Sequence, residues 1–477
     1  MDSIERERLQ AEGVVAEMTV ARFRDELHGL LLRPGDAGYD AARHVYNAMI
    51  DKYPAFIAQC ADAADVSAAV NFSRDHGLPI AVRGGGHNGA GLGLVDDGLV
   101  IDLSAMRGVQ VDAARQEVRV EGGCLWNDVD AATSPHGLAV PTGFISSTGV
   151  GGLTLGGGVG YLTRQYGLTI DSLLEVEMVL ADGRFVIANA AQNADLFWAV
   201  RGGGGNFGAV TAFLFRGRPV GPTVYGGPIF WPMEHAATVM RFWRDLILSD
   251  PEHLNGWFGF HTVPPVDMFP AEHHLKKTAV ITWCYTGDLD GAARVFEPIR
   301  AVAPPAIDFV GPIPMPTLQN LFDGLYPAGL QWYWNADFVT DLSDEAIALH
   351  LEYAEQLPSV HSTMHLYPIN GAAHRVGQAD TAWSYREANF AQVIVGVDPD
   401  PANNARTIAW SKEYWRRLHP YSAGGAYVNM MMDEGQERVM ASYRDNYPRL
   451  AQVKAKYDPH NLFRINQNIK PAQSERR

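Results

Sequence analysis

His87 stands inside a glycine loop, Arg83-Gly84-Gly85-Gly86-His87-Asn88, that follows the apolar run Leu78-Pro79-Ile80-Ala81-Val82. Consecutive glycines let backbone N–H groups converge on a phosphate, because no Cβ blocks the approach. A histidine there adds an imidazole, which near pH 7 can be a neutral nucleophile. The plainer alternative is a glycine-rich turn carrying a surface histidine. Residues 143–160 form a second glycine block, with the hydroxyls of Ser146, Ser147 and Thr148 and the glycines Gly151, Gly152, Gly156 and Gly160. Residues 201–208 form a third, Arg201-Gly202-Gly203-Gly204-Gly205-Asn206-Phe207-Gly208. Together they offer a broad backbone surface for a flat, polar ligand. None has the Gly-x-Gly-x-x-Gly order of a Rossmann nicotinamide site within a strand–helix unit with a distal acid, and no P-loop motif is present.

The elements that position these residues are legible in outline. Residues 78–82 read as a buried strand, preceded by an amphipathic helix that Asp62 and Asp65 start and Gly77 stops. Strands are expected over 99–103, 109–111 and 117–121, with a hairpin, 174–180 and 184–188, around Asp182-Gly183. Residues 1–50 read as a helical preface, with helical spacing over 4–18 and again over 20–32. Near residues 219–222 the composition changes: glycine blocks stop and aromatic, alternating strands begin, over 255–262, 278–285, 331–339, 362–369 and 392–397. Helices are expected between them, over 233–248, 291–301 and 344–356, and later over 434–443. This pattern predicts an antiparallel sheet with helices on one face.

Bulk properties exclude several classes. A chain of 477 residues with 47% hydrophobic and 19% charged residues predicts a globular protein of two or three domains. A formal charge of −16 argues against nucleic acid or an anionic membrane as partner. No apolar run reaches membrane-spanning length, and the charged residues 2–8 do not resemble a secretion signal, so a cytoplasmic location is expected. The three cysteines, Cys60, Cys124 and Cys284, are widely spaced and predict small buried side chains rather than disulfides; no metal site is expected.

Three stretches together resemble the FAD-linked oxidases of the vanillyl-alcohol-oxidase superfamily, with a PCMH-type FAD domain, and most closely the berberine-bridge-enzyme-like branch. They are 83–88, the block 143–160 continuing to Asp171, and 195–208, which opens Asp195-Leu196-Phe197-Trp198. The tail, Tyr427-Val428-Asn429 and 449–469 including Tyr457-Asp458-Pro459, resembles that family's C-terminal block. The resemblance implies an α+β fold: a two-subdomain FAD-binding domain over 51–220, an inserted substrate domain over 221–423, and a segment 424–477 returning to the FAD domain. It implies FAD held by Arg83, Gly84, Gly85, Gly86, His87, Asn88, Ser147, Thr148, Gly151, Gly152, Gly156, Gly160, Tyr161, Asn206, Val210, Asn429, Asn466 and Asn468. His87 would bond the flavin 8α-methyl carbon. A second, cysteinyl link is common in the family, but Ile145 occupies that position, so a singly attached flavin is expected. Thr148 aligns with the position that guards oxygen access.

The implied reaction is hydride transfer from an alcohol, amine or activated carbon of a small secondary-metabolite or aromatic substrate to flavin N5, with O2 reoxidising the flavin to give hydrogen peroxide. The rival implications are a dehydrogenase or oxidative cyclase with another acceptor, and a catalytically inactive flavin-binding protein. The family's Tyr-x-Asn-Tyr segment reads Tyr427-Val428-Asn429-Met430 here, and Met430 cannot accept a proton. Read as a strand, Tyr427 and Met430 would face opposite sides. Tyr427, His365 and Tyr333 are the catalytic candidates. Alternation puts His361, His365 and Tyr367 on one face and pairs Trp332 with Trp334, which suggests a pocket for a flat or hydrophobic substrate. His261, His273 and His274 read as surface or loop residues.

Overall fold

The computed structural model describes residues 15–249 and 252–473. Three adjacent strands, Phe56–Gln59, Leu99–Asp102 and Ile80–Arg83, pair in parallel, and their largely apolar residues suit burial on both faces. The helix Ala63–Asp75 crosses over between the first two in sequence. Asp62 caps it by accepting from the N–H groups of Ala64 and Asp65 at 2.8 and 3.1 Å. Asp65 does not cap; its buried carboxylate accepts from the N–H groups of His28, Gly29 and Ala61 instead.

The sheet's fourth strand corrects the reading of the first fifty residues. Helix Glu17–Glu26 forms as expected, but Leu30–Leu32 is a strand, antiparallel to Phe56–Gln59. The segment is therefore part of the first subdomain rather than a preface. The expected helix over 4–18 lies largely outside the described residues.

A second, five-stranded antiparallel sheet has the order Val109–Asp112, Glu117–Glu121, Ala209–Arg216, Leu173–Val179, Phe185–Asn189. The third is the large antiparallel sheet of residues 223–398. Its path runs Ile307–Asp308, Thr223–Pro232, Lys277–Tyr285, Leu254–Thr262, Thr363–Pro368, Phe390–Asp398, Gln331–Val339.

Side-chain alternation gives the large sheet two distinct faces. Phe258, Phe260, Met364, Leu366 and Ile394 share a core with Trp243 and Tyr414 of the helices Ala236–Leu248 and Asn404–Leu418. Trp257, Tyr367, Val393, Val395 and Trp332 belong to the core continuous with the glycine-rich half. The expected one-sided sheet is found, and its open face is turned toward the glycine blocks.

Candidate functional site

The glycine loop leaves the C-terminal end of a parallel strand, Ile80–Arg83, where α/β sheets bind ligands. Its root is pinned by Arg83, whose guanidinium lies 2.6 Å from the carboxylate of Asp102, both groups buried, and also donates to the carbonyl of Ala42. Gly85 and Gly149 touch back to back: a Cβ on Gly85 would lie 2.5 Å from the Gly149 nitrogen. That contact joins the first two glycine blocks. Beyond it opens a cavity of about 360 Å³, bounded by loop 83–88, parts of 143–153 and 204–208, and the open face of the large sheet.

His87 is half-buried in the cavity wall, its ring stacked 4.0 Å from Tyr46 and its Nε2 3.3 Å from Ser147 Oγ. Burial lowers its pKa from 6.5 to about 4, so the imidazole is neutral at ordinary pH and its nitrogen lone pair is retained. The neighbouring Asn47 fastens this corner to the roof. Its amide donates to the carbonyls of Gly89 and Trp332 at 2.7 and 3.0 Å and accepts from the Trp332 N–H at 3.0 Å.

The cavity suits FAD on two counts. At Gly152 and Gly205 an added Cβ would meet nothing within 4 Å, so bare backbone faces open space. Four lining side chains carry buried polar atoms without a protein partner: Tyr443 Oη, Asn466 Oδ1, Trp332 Nε1 and Trp334 Nε1. Buried polar groups left so are uncommon and mark where a ligand's polar atoms belong.

Of the predicted cofactor residues, Arg83, Gly84, Gly85, Gly86, His87, Asn88, Thr148, Gly151, Gly152, Asn206, Val210, Asn429 and Asn466 line the cavity. Ser147 reaches it through His87. The others serve the walls. A Cβ on Gly156 would lie 2.1 Å from Asn429 Oδ1, and Gly160 donates its N–H to Thr163. Tyr161 Oη lies 3.5 Å from Trp257 Nε1, and the Asn468 carbonyl accepts from Gln436. Asn206 lines the cavity, yet its amide knits the third glycine block to the tail through Gly203 O, Gln467 O and the Ile469 N–H. Ile145 faces the cavity, while the buried Cys124 thiol points to the carbonyl of Gly108 and is pushed up to about 12 by burial.

The catalytic candidates separate. Tyr427 and Met430 both line the cavity, because Val428–Met430 is a 3-10 turn and strand alternation does not apply. The Tyr427 hydroxyl accepts from the Gly158 N–H at 3.0 Å and from Asn429 at 2.8 Å, and burial raises it to about 12. Tyr333 is on the wrong face of Gln331–Val339: Lys412 of the outer helix lies 5.3 Å from its ring centroid. His365 does face the cavity. His361 precedes the strand Thr363–Pro368 and does not join it.

His261 is neither surface nor loop. It is buried in strand Leu254–Thr262, its Nε2 3.0 Å from that of His365. Burial lowers His261 to about 4 and holds His365 well below 6.5. Tyr326 and Trp257, unremarked in the sequence, complete this wall. A regular strand signal over 255–262 could have flagged His261, since it shares parity with Trp257. Tyr46 and Tyr326 carry no such signal.

Among the described residues one His/Asp group lies within metal-ligand reach, His28, Asp62 and Asp65, but both carboxylates are committed to backbone N–H groups. No helix among them is long and apolar enough to cross a membrane.

Comparison with known proteins agrees with this geometry. The FAD binding domain model matches residues 54–189, and the berberine and berberine-like model matches 426–470. The chain is 38% identical to an FAD-linked oxidoreductase of Aspergillus terreus, over 93% of this chain and 94% of the relative. It is 30% identical to an FAD-linked oxidoreductase of Dictyostelium discoideum, over 96% and 98%. A solved structure of 6-hydroxy-D-nicotine oxidase from Arthrobacter nicotinovorans superposes with a TM-score of 0.83 at 25% identity, over 94% of this chain and 98% of that one.

Proposed function

The chain belongs to the berberine-like FAD-linked oxidoreductases, and from that premise we propose that it is an oxidase, with its flavin tethered by His87 alone, that acts on a small uncharged aromatic alcohol and passes electrons to O2. The observation that carries the reading is the single cavity that joins a neutral His87 in a glycine cradle to an aromatic roof. Bound FAD supplies a two-electron hydride acceptor.

The residues divide the work. The glycine loops and Asn466 would hold the cofactor, and Trp257, Phe322, Trp332 and Trp334 would enclose a flat ring. Among the described residues, Arg83 is the only Arg, Lys, Asp or Glu on the cavity wall, and Asp102 neutralises it. With no carboxylate for an ammonium and no free cation for a carboxylate, an uncharged substrate is favoured. His365 is the acid–base candidate that suits its surroundings, being neutral and hydrogen-bonded on both ring nitrogens to groups that pass protons. Tyr427 is fixed by its N–H donors and serves the wall. Thr148, a small side chain on the cavity wall, leaves room for O2.

The test uses purified protein beside His87→Ala. Flavin fluorescence should stay with the denatured parent chain on a gel and be absent from the variant; persistence in the variant would refute the linkage. Anaerobic mixing with a panel of benzylic alcohols should bleach the flavin, and air should restore it rapidly with formation of peroxide. Slow return of colour in air would instead identify a dehydrogenase.

A further inference from the structure

The roof of the cavity carries a chain of hydrogen bonds whose direction can be worked out. It links Tyr367 Oη to His365 Nδ1 at 2.6 Å, His365 Nε2 to His261 Nε2 at 3.0 Å, and His261 Nδ1 to Tyr326 Oη at 3.2 Å. Thr363 fixes the sense. Its hydroxyl donates to the Phe260 carbonyl at 2.8 Å, so toward the histidines its oxygen can only accept. It lies 2.9 Å from His365 Nε2 and 3.3 Å from His261 Nε2. Two N–H groups cannot face each other across 3.0 Å, so at most one of these nitrogens carries hydrogen, and the accepting Thr363 oxygen, closer to His365, assigns it there.

The rest follows, because a neutral imidazole has one N–H. His365 Nδ1 is then bare and accepts the Tyr367 hydroxyl, and 2.6 Å suits an O–H donor. His261 Nε2 accepts from His365, so its hydrogen sits on Nδ1 and is given to Tyr326, where 3.2 Å suits an N–H donor. Three distances agree on one direction. The Tyr326 oxygen is occupied as an acceptor, and among the described residues no acceptor takes its own hydrogen. Tyr326 lines the cavity beside Trp332, and its backbone carbonyl is held by the Tyr46 hydroxyl at 2.7 Å.

We infer that Tyr326 is the specificity-determining donor of this site: its O–H, aimed by the His261–His365 pair, recognises an oxygen acceptor on the substrate. The substrate class is then an uncharged aromatic molecule bearing an alcohol or carbonyl oxygen beside the ring. The same bond favours negative charge on that oxygen, so a bound alcohol ionises more readily, and the O–H can equally donate to the carbonyl of the product. This deepens the oxidase reading and rests on it for the identity of the reacting oxygen, but its binding test does not require turnover.

Calorimetry on the holoprotein compares acetophenone with α-methylstyrene, which replaces the carbonyl oxygen by CH2 at nearly constant shape. The parent should prefer the ketone by about tenfold, the worth of a hydrogen bond to a donor otherwise left unpaired. Tyr326→Phe should bind the two equally and hold α-methylstyrene at least as tightly as the parent does, which also shows that its pocket is intact. Equal binding by the parent, or a preference surviving in Tyr326→Phe, overturns the inference. Nitrogen NMR of histidine-labelled holoprotein gives a second reading: hydrogen on Nδ1 of His261 and Nε2 of His365 is expected, and hydrogen on His261 Nε2 overturns it. Failure of the oxidase reading would appear separately, as a flavin that no alcohol bleaches.

Discussion

Tyr427 and His365 differ in what their polar atoms already hold. The Tyr427 oxygen satisfies the buried Gly158 N–H and the Asn429 amide, so its removal should cost structure rather than chemistry. Tyr427→Phe is expected to lower stability by about 1–3 kcal/mol, through the donor left unpaired. Its rate of flavin bleaching should stay near the parent's in stopped flow; a hundredfold loss would restore Tyr427 as a base. His365 spends both nitrogens on groups that themselves carry exchangeable protons. That contrast was not legible in the sequence, where Tyr427 sits in a recognisable motif and His261 in none. Motif position locates a side chain; only its partners show whether it is free to react.

At the scale of elements, the two halves are locked by a buried pair: Arg386, in the loop before strand Phe390–Asp398, grips Asp171 of the 3-10 turn Thr169–Asp171 through two bonds of 2.8 Å. Arg386→Ala leaves Asp171 buried and uncompensated, so urea unfolding should show a loss of about 3–5 kcal/mol. Adding Asp171→Leu should recover part of it, and an unchanged midpoint for the single variant would refute the pairing. The elements themselves were largely readable. Strand 117–121 falls where alternation puts it, because a half-buried strand writes its own period. Leu30–Leu32 has no period to read; three leucines become a strand because Phe56–Gln59 offers an edge. Tyr333 shows the complementary failure, since its face depends on which side of the sheet carries the helix Asn404–Leu418.

Across the whole molecule, buried imidazoles set the response to acid. His261 titrates at about 4, His350 at about 3 and His365 well below 6.5, all through burial. Between pH 6.5 and 4 the unfolded chain binds protons that these three refuse when folded, so stability falls as pH falls. Asp130 opposes this: burial raises it to about 7 from 3.8, and its folded state gains a proton in the same window. The lowered imidazoles outnumber it, so the net effect is a loss of stability as pH falls. Calorimetry should show the melting temperature dropping from pH 7 to pH 5, and more steeply in Asp130→Asn; a flat or rising profile would contradict the burial of these histidines. The returning tail has its own consequence. Lys454, fully buried, holds Asn206 O at 2.6 Å, Phe463 O at 2.9 Å and Asp458 at 2.6 Å, and Asn466 and Gln467 finish the cavity wall. Walls begun at residue 83 are thus closed by residues translated more than three hundred positions later. On the ribosome the nascent chain has only half a binding site, so flavin capture must wait until this tail has emerged and docked.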